Sequence, residues 1–252
     1  MLVFILVGPF FVPYGPSDVS PDLNSPPSLA HLFGTDFQGH DILSQTIWGA
    51  YPSMLIALLA SVGGALAGLL VGVIGGYFSK AEAVLSGAVD VILTFPPLPL
   101  LILIGLLYPN IGSAVILALI FILWAPVARA IRAQVMSIKE RPYVDAAKSS
   151  GMSSFNIVTK ILIPDVASIA FAYFVLDVAV AVVLITALEF LGIGNPNTVS
   201  WGSMFFWADQ FAFPAGDWWW ILAPGVSITL VAVGFALIGF SIEEAMNPRL
   251  RT

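Results

Sequence analysis

Long apolar segments separated by short polar connections dominate the chain. Five of them are long enough to cross a bilayer, at residues 54–78, 83–108, 113–130, 166–191 and 221–240. Since the hydrocarbon core takes ~20 helical residues, each segment predicts one membrane span. The second of these contains Phe95-Pro96-Pro97, and proline removes helical hydrogen bonds, so we expect its helix to be kinked or broken there.

The apolar run at residues 2–12 is only about half as long as a span. It could be the core of a signal peptide, although the positively charged flank of such a segment is absent. We interpret it as the outer half of a sixth span, in a chain that is truncated or alternatively started. Residues 13–50 lack Lys and Arg and are rich in Pro, Ser and Asp, which predicts an extended outer loop leading to a short helix.

Glycines recur at helical spacing in the 54–78 segment. Gly64, Gly68, Gly72 and Gly76 lie four residues apart and therefore share one face of the helix. Such a face lets another backbone approach closely. The alternative interpretation is that glycine is simply common in membrane helices.

Composition places the predicted helices in a membrane. Hydrophobic residues make up 59% of the chain and charged residues 10%, against roughly a quarter in soluble domains. With no Cys and only two His, His31 and His40, we expect no disulfide, thiolate nucleophile or metal site. A formal charge of -6 argues against nucleic acid, which requires a cationic face. The prediction is one all-α transmembrane domain over residues 1–252.

The few cations indicate an orientation. Six of the nine lie between Arg129 and Lys160, and the others are Lys80, Arg249 and Arg251. Counting spans puts all nine on one side of the membrane, which the positive-inside rule assigns to the cytoplasm. We therefore expect a cytoplasmic C-terminus, with outer loops at residues 13–50 and 192–219.

The polar segment 132–164 is the long connection on the predicted cytoplasmic side. Asp145, Ala146 and Ala147 should begin a short helix, and Gly151 permits a tight turn into a second one. Small alanines at the surface let a partner fit closely. The pattern predicts a projecting element that docks into a groove.

This segment resembles the EAA loop of permease subunits of ABC importers. The shared residues are Asp145-Ala146-Ala147, Gly151, Ile161 and Ile163-Pro164, with Asp145 where Glu is usual and Ile163 where Leu is usual. The residue types recur at fixed offsets over about twenty positions in the expected loop.

A second resemblance narrows the class. The segment from His31 to Ser44, HLFGTDFQGHDILS, is similar to the FGTD-x-x-GRD-x-LS segment of one of the two permeases in dipeptide, oligopeptide and nickel importers, with His40 where Arg is usual. Further matches occur in the same order at Asp90, Phe95-Pro96, Trp124, Pro126, Arg129, Arg132, Phe190-Leu191-Gly192, Ser200-Trp201-Gly202, Met204 and residues 247–251. The resemblance covers about residues 8–251.

The resemblance implies a type I ABC importer transmembrane domain of about six helices, with a cytoplasmic coupling helix between the fourth and fifth. It implies a homologous second permease, two cytoplasmic ATPase subunits and an extracytoplasmic substrate-binding protein as partners, besides the lipid bilayer. The implied ATPase-docking residues are Asp145, Ala146, Ala147, Gly151, Ile161 and Pro164. The sequence has no G-x-x-x-x-G-K-[ST] phosphate loop. The subunit would therefore be non-catalytic and hold no cofactor, and ATP and Mg would bind to the ATPase partners.

Three acids lie within the predicted spans. Asp177 is near the centre of the span predicted at residues 166–191, where a carboxylate usually faces a partner or a wet cavity. We expect it to line the translocation path; the alternative is an interhelical hydrogen bond from a protonated carboxyl group. Asp90 is expected to pair with Arg129 or Arg132, and Glu189 could contact the binding protein.

Two other functions and several substrates compete with this interpretation. An ion-coupled secondary transporter or channel would suit broken helices and buried acids, although we find no inverted repeat. A membrane-embedded enzyme would need clustered polar groups at membrane depth, and the acids are dispersed. The resemblance favours di- and oligopeptides as substrates, with oligosaccharides and metal chelates as alternatives.

Overall fold

The computed structural model describes residues 8, 11–108, 112–195 and 197–246. Most of the half-span expected at residues 2–12 lies outside the described residues, as does the motif at 247–251. The helices are α1 (Ile42–Tyr77), α2 (Ser79–Thr94), α3 (Pro97–Leu107), α4 (Gly112–Ile138), α5 (Pro142–Ser149), α6 (Ser154–Ile157), α7 (Ile163–Phe190), α8 (Trp201–Ala215) and α9 (Trp218–Met246). A π-helical turn, Val158–Leu162, joins α6 to α7.

The long helices confirm the predicted membrane fold. The four segments Ile42–Tyr77, Ser113–Ile138, Ser154–Phe190 and Trp218–Ala245 are long and apolar enough to cross a membrane. Helices α2 and α3 reach that length only as a pair, and they bend by 86° where Phe95 and Pro96 separate them. The predicted break is therefore confirmed, and the described residues contain four spans, or five if the bent pair crosses the membrane.

The helices extend beyond the apolar segments that predicted them. The short helix expected near residue 50 is the first part of α1, and the segment 192–219, predicted only as an outer loop, contains α8. A capping box begins α8: Ser203 N donates to Ser200 Oγ at 3.1 Å and Ser200 N donates to Ser203 Oγ at 2.9 Å. Serine replaces the usual Glu or Gln of this box, so the sequence pattern does not reveal it.

The chain folds into two compact units. Unit 1 comprises Met1–Leu58, Leu101–Val115 and Ala179–Gly234, and unit 2 comprises Leu59–Leu100, Ile116–Val178 and Phe235–Thr252. Every Lys and Arg among the described residues belongs to unit 2, and both His belong to unit 1. Helices α1, α3, α4, α7 and α9 each contribute residues to both units.

Four glycines determine how closely α1 and α4 pack in unit 2. A Cβ atom added to Gly64 would lie 2.8 Å from Leu123 Cβ, and one added to Gly68 would lie 2.5 Å from Val127 Cβ. Gly72 and Gly76 meet Ile131 and Val135 in the same way, at 2.8 and 2.7 Å. Real Cβ contacts are not this short. The observed helix separation therefore requires glycine at all four positions.

We expect Gly68→Ala to destabilise the protein by about 1–3 kcal/mol, because the added methyl group overpacks the α1–α4 contact. Gly87→Ala in α2 is the matched control, since no heavy atom lies within 4 Å of an added Cβ there. Alanine in a helix interior should leave stability unchanged or raise it by up to about 1 kcal/mol. Thermal unfolding of the detergent-solubilised protein checks this, and equal midpoints for the two variants would contradict it.

Candidate functional site

The segment after α4 forms a compact element, here called the coupling element (residues 139–162). Helix α5 begins with Pro142, whose missing N–H costs nothing in the first helical turn. Gly151 has φ +79°, in the left-handed region that glycine adopts readily. Ser153 caps α6 by accepting a hydrogen bond from Asn156 N at 3.4 Å. The turn at Gly151 and the short helix before it agree with the sequence, but that helix begins at Pro142 and not at Asp145. The second short helix that we predicted is wrong, because α6 continues through the π-helical turn into α7 as one helix, Ser154–Phe190.

One side of α5 is buried and the other faces outward. Val144 is fully buried among Val73 of α1, Val135 of α4 and Ile157 of α6. Of the residues predicted to dock an ATPase, four are exposed and two are half-buried: Asp145, Ala146, Gly151 and Pro164, then Ala147 and Ile161. The outward side therefore presents the small residues on which the docking prediction depends.

Large apolar side chains lie on the same element. Phe155 is 75% exposed, and Tyr143 and Met152 are also exposed. Exposed apolar groups gathered on one element are typical of a protein contact surface. The sequence analysis did not select these residues, because hydropathy alone does not tell an exposed apolar side chain from a buried one.

Polar contacts tie the coupling element to α1 and α7. Tyr143 Oη donates to Asp165 Oδ2 at 2.7 Å, in the first turn of α7. Desolvation and this bond raise the pKa of Tyr143 above its ordinary value, so the hydroxyl remains a donor at neutral pH. Lys139 Nζ donates to Gly76 O at 2.9 Å, near the C-terminal end of α1 where a cation is favourable.

Two ion pairs join α2 to α4. Arg132 Nη2 lies 2.8 Å from Glu82 Oε1, and Arg129 Nη2 contacts Asp90 Oδ1. Of its two candidate cations, Asp90 therefore pairs with Arg129. The sequence analysis missed the Glu82–Arg132 pair. Glu82 and Asp90 lie two helical turns apart, and the two arginines lie one turn apart, so this spacing could have indicated two ion pairs between the helices.

The segment that resembles FGTD-x-x-GRD forms a tight loop before α1. Gly34 and Gly39 have φ +74° and +89°, which explains glycine at both positions. Asp36 Oδ1 accepts from Gln38 N and His40 N, both at 2.8 Å, and Asp36 Oδ2 lies 2.8 Å from His40 Nδ1. The hydrogen bond with Asp36 raises the pKa of His40 above its ordinary value of 6.5.

Asp41 connects this loop to the start of α1. Asp41 Oδ2 accepts from Ser44 N at 2.8 Å and from Ser44 Oγ at 2.7 Å, which is the geometry of a helix N-cap. Asp41 Oδ1 lies 3.0 Å from Nδ1 of the buried His31. Each histidine is therefore paired with one aspartate.

The two acids of α7 have different surroundings. Asp177 is 6% exposed, and its Oδ2 has no hydrogen-bond partner among the described residues. Glu189 Oε2 accepts from Ser200 Oγ at 2.7 Å and so contacts the capping residue of α8. The role predicted for Asp177 on the translocation path stays a prediction.

The long apolar helices, the bent α2–α3 pair and the short helix with its turn at Gly151 agree with a permease subunit of the ABC importer class. Residues 64–252 match the family described as binding-protein-dependent transport system inner membrane component. The chain belongs to this family. Its membership decides against the alternative functions of secondary transporter, channel and membrane-embedded enzyme.

Curated relatives and a solved structure agree with this family. The dipeptide transport system permease protein DppC of Bacillus subtilis (strain 168) is 31% identical over 258 residues, which cover 100% of this chain and 79% of the relative. A protein of Brucella suis biovar 1 (strain 1330), named as a peptide transport system permease, is 34% identical over 227 residues, 90% of this chain and 76% of the relative. The crystal structure of an amino acid ABC transporter with histidines has a TM-score of 0.55 at 20% identity, and the match covers 82% of this chain and 93% of that chain. At this identity the solved structure supports the fold.

We expect Asp41→Ala to lower the free energy of unfolding by about 1–3 kcal/mol, because it removes the cap of α1 and leaves buried His31 without its carboxylate. Asp22→Ala is the matched control in the same loop, since Asp22 is exposed and its backbone carbonyl, which accepts from Thr35 Oγ1, is retained. Thermal unfolding of both variants checks the prediction. Equal midpoints would show that the cap and the His31 contact do not stabilise the start of α1.

Proposed function

We propose that this chain is one of two permeases in an ATP-driven importer of di- or oligopeptides and forms half of the translocation pathway. The coupling element is the observation that carries the proposal, because its exposed surface suits docking of an ATPase subunit. The names of the Bacillus and Brucella relatives support peptides over oligosaccharides or metal chelates. Residues 1–252 act as one transmembrane domain in this proposal.

The proposed partners occupy opposite faces of the membrane. Two ATPase subunits bind ATP and Mg, hydrolyse the nucleotide and dock on the cytoplasmic side, one of them against Asp145, Ala146, Ala147, Gly151, Ile161 and Pro164. This permease catalyses no reaction and holds no cofactor of its own. The substrate-binding protein docks outside, and the C-terminus is cytoplasmic because the cations of unit 2 favour that side.

The contacts of the coupling element explain how docking could move the helices. Val144 is buried in one cluster with residues of α1, α4 and α7, and Tyr143 is hydrogen-bonded to the first turn of α7. A force applied to the exposed side of α5 therefore reaches helices α1, α4 and α7. Rocking of these helices would expose the pathway first to the outside and then to the cytoplasm.

We place Asp177 on this pathway. Its carboxyl group is buried and its Oδ2 lacks a partner among the described residues, and such an acid at membrane depth usually faces a wet cavity or a ligand. It would meet the amino group of a peptide by charge. It need not hold the peptide tightly.

We expect Gly151→Val to weaken ATPase docking, because a β-branched residue at φ +79° is strained by about 1–3 kcal/mol. Gly151→Asn is the matched control, since asparagine tolerates the left-handed region. No atom lies within 4 Å of an added Cβ, so a difference between the variants reports the turn rather than a clash. Copurification of the ATPase subunits and peptide-stimulated hydrolysis should fall for valine and persist for asparagine. Equal copurification would overturn the coupling assignment.

We expect Asp177→Ala to reduce peptide uptake by roughly tenfold, the effect of one lost charge-assisted interaction. Asp177→Asn keeps a polar group of the same shape. We expect it to reduce the uptake of peptides with an acetylated amino group less than the uptake of free peptides. Uptake of free and acetylated peptides into proteoliposomes at equal protein levels checks this. Full transport by both variants would remove Asp177 from the pathway.

A further inference from the structure

Unit 1 contains a cavity that the proposed function does not use. It has a volume of about 320 Å³ and lies beside the tight loop that precedes α1. Its wall includes Asp36, His40, Gln45, Trp207 and Trp220, which come from that loop, α1, α8 and α9. The wall combines amide and imidazole groups with indole rings.

Two polar side chains in this wall have unused hydrogen-bonding capacity. Gln45 is 8% exposed and lines this cavity, and no described residue hydrogen-bonds its side-chain amide. The His40 side chain is 15% exposed, with Nδ1 fixed on Asp36 and Nε2 without a partner among the described residues. A buried amide and an oriented imidazole therefore converge on one space.

Because of the orientation of His40, the hydrogen-bonding role of its Nε2 atom depends on whether the ring is protonated. Because Nδ1 faces a carboxylate oxygen at 2.8 Å, Nδ1 carries a proton in either state. Nε2 is then an acceptor in the neutral ring and a donor in the protonated ring. The contact with Asp36 raises the pKa of His40, which favours the donor form in mildly acidic surroundings.

The charged side chains in the wall of this cavity indicate which kind of ligand it can bind. Asp36 and His40 are the ionisable side chains among the described lining residues, and α1, α8 and α9 contribute none. Both oxygens of Asp36 are already occupied by N–H groups. A zwitterionic peptide would leave its ammonium group unmatched here, whereas an acidic side chain needs only the donors that His40 and Gln45 supply.

We propose that this cavity receives an acidic side chain of the extracytoplasmic binding protein, with the protonated His40 ring and the Gln45 amide as hydrogen-bond donors. The inference rests on the proposed function, because it assumes that partner. It makes docking of the binding protein pH-dependent: docking is tight below the pKa of His40 and weakens as the pH rises through it.

The test uses the assembled importer in lipid nanodiscs and the separately purified binding protein, whose Kd is measured from about pH 5.5 to about pH 8.5. For the wild type, Kd should rise roughly tenfold across this range, as expected for loss of a charge-assisted hydrogen bond. His40→Arg keeps the charge and should bind tightly at every pH. His40→Gln should bind weakly at every pH, and Gln45→Leu should bind less tightly while retaining the pH dependence. ATPase copurification controls for folding.

The outcomes separate this site from the function on which it rests. A pH dependence that persists in His40→Arg, or a wild-type curve that is flat at normal affinity, would overturn the site alone. Absence of binding at every pH would overturn the binding-protein partner of the proposed function as well. Displacement of the binding protein by millimolar acetyl-glycylglycine, but not by its amide, would assign the cavity to the carboxylate of a free peptide instead.

Discussion

The close approach of α1 and α4 is the constraint on which the rest of unit 2 depends. Lipid gives helices no hydrophobic reason to associate, so packing must hold them together. Gly68 and Gly72 let Val127 and Ile131 enter the surface of α1. The same approach brings Lys139, just beyond the end of α4, within hydrogen-bonding distance of α1. Separation of the two helices by one methyl group would disturb all of these contacts together.

Packing also outweighs charge in fixing the coupling element. Burying a valine such as Val144 contributes about 1.5–3 kcal/mol, whereas an exposed ion pair contributes about 0–1 kcal/mol. The ion pair of Asp145 with Lys148 in α5 is exposed on both sides, so it adds little stability. The coupling element is therefore held by its buried side rather than by ion pairs on its exposed side.

Hydropathy and spacing predict the features of this protein that arise within one stretch of chain. The spans, the break before Pro97, the glycine face and the turn at Gly151 all belong to this kind. Pairings such as Tyr143 with Asp165 and Arg132 with Glu82 join residues far apart in sequence. The sequence does not show which of several acids contacts the tyrosine or the arginine. Helix α8 was hidden because its start depends on a reciprocal contact of two serines rather than on periodicity. Tertiary structure is needed to select among such partners.

The two units differ in their charged residues: the described Lys and Arg belong to unit 2, whereas both histidines belong to unit 1. The tight loop before α1 contains no Lys or Arg, yet the buried carboxylates of Asp36 and Asp41 still need partners. The tight loop meets this need with backbone N–H groups and the two histidines. Where the resembling segment usually has Arg, this chain has His40, and a fixed charge becomes one that a pH change can remove. The pairing that stabilises the loop thus also places a titratable group in the wall of the cavity in unit 1.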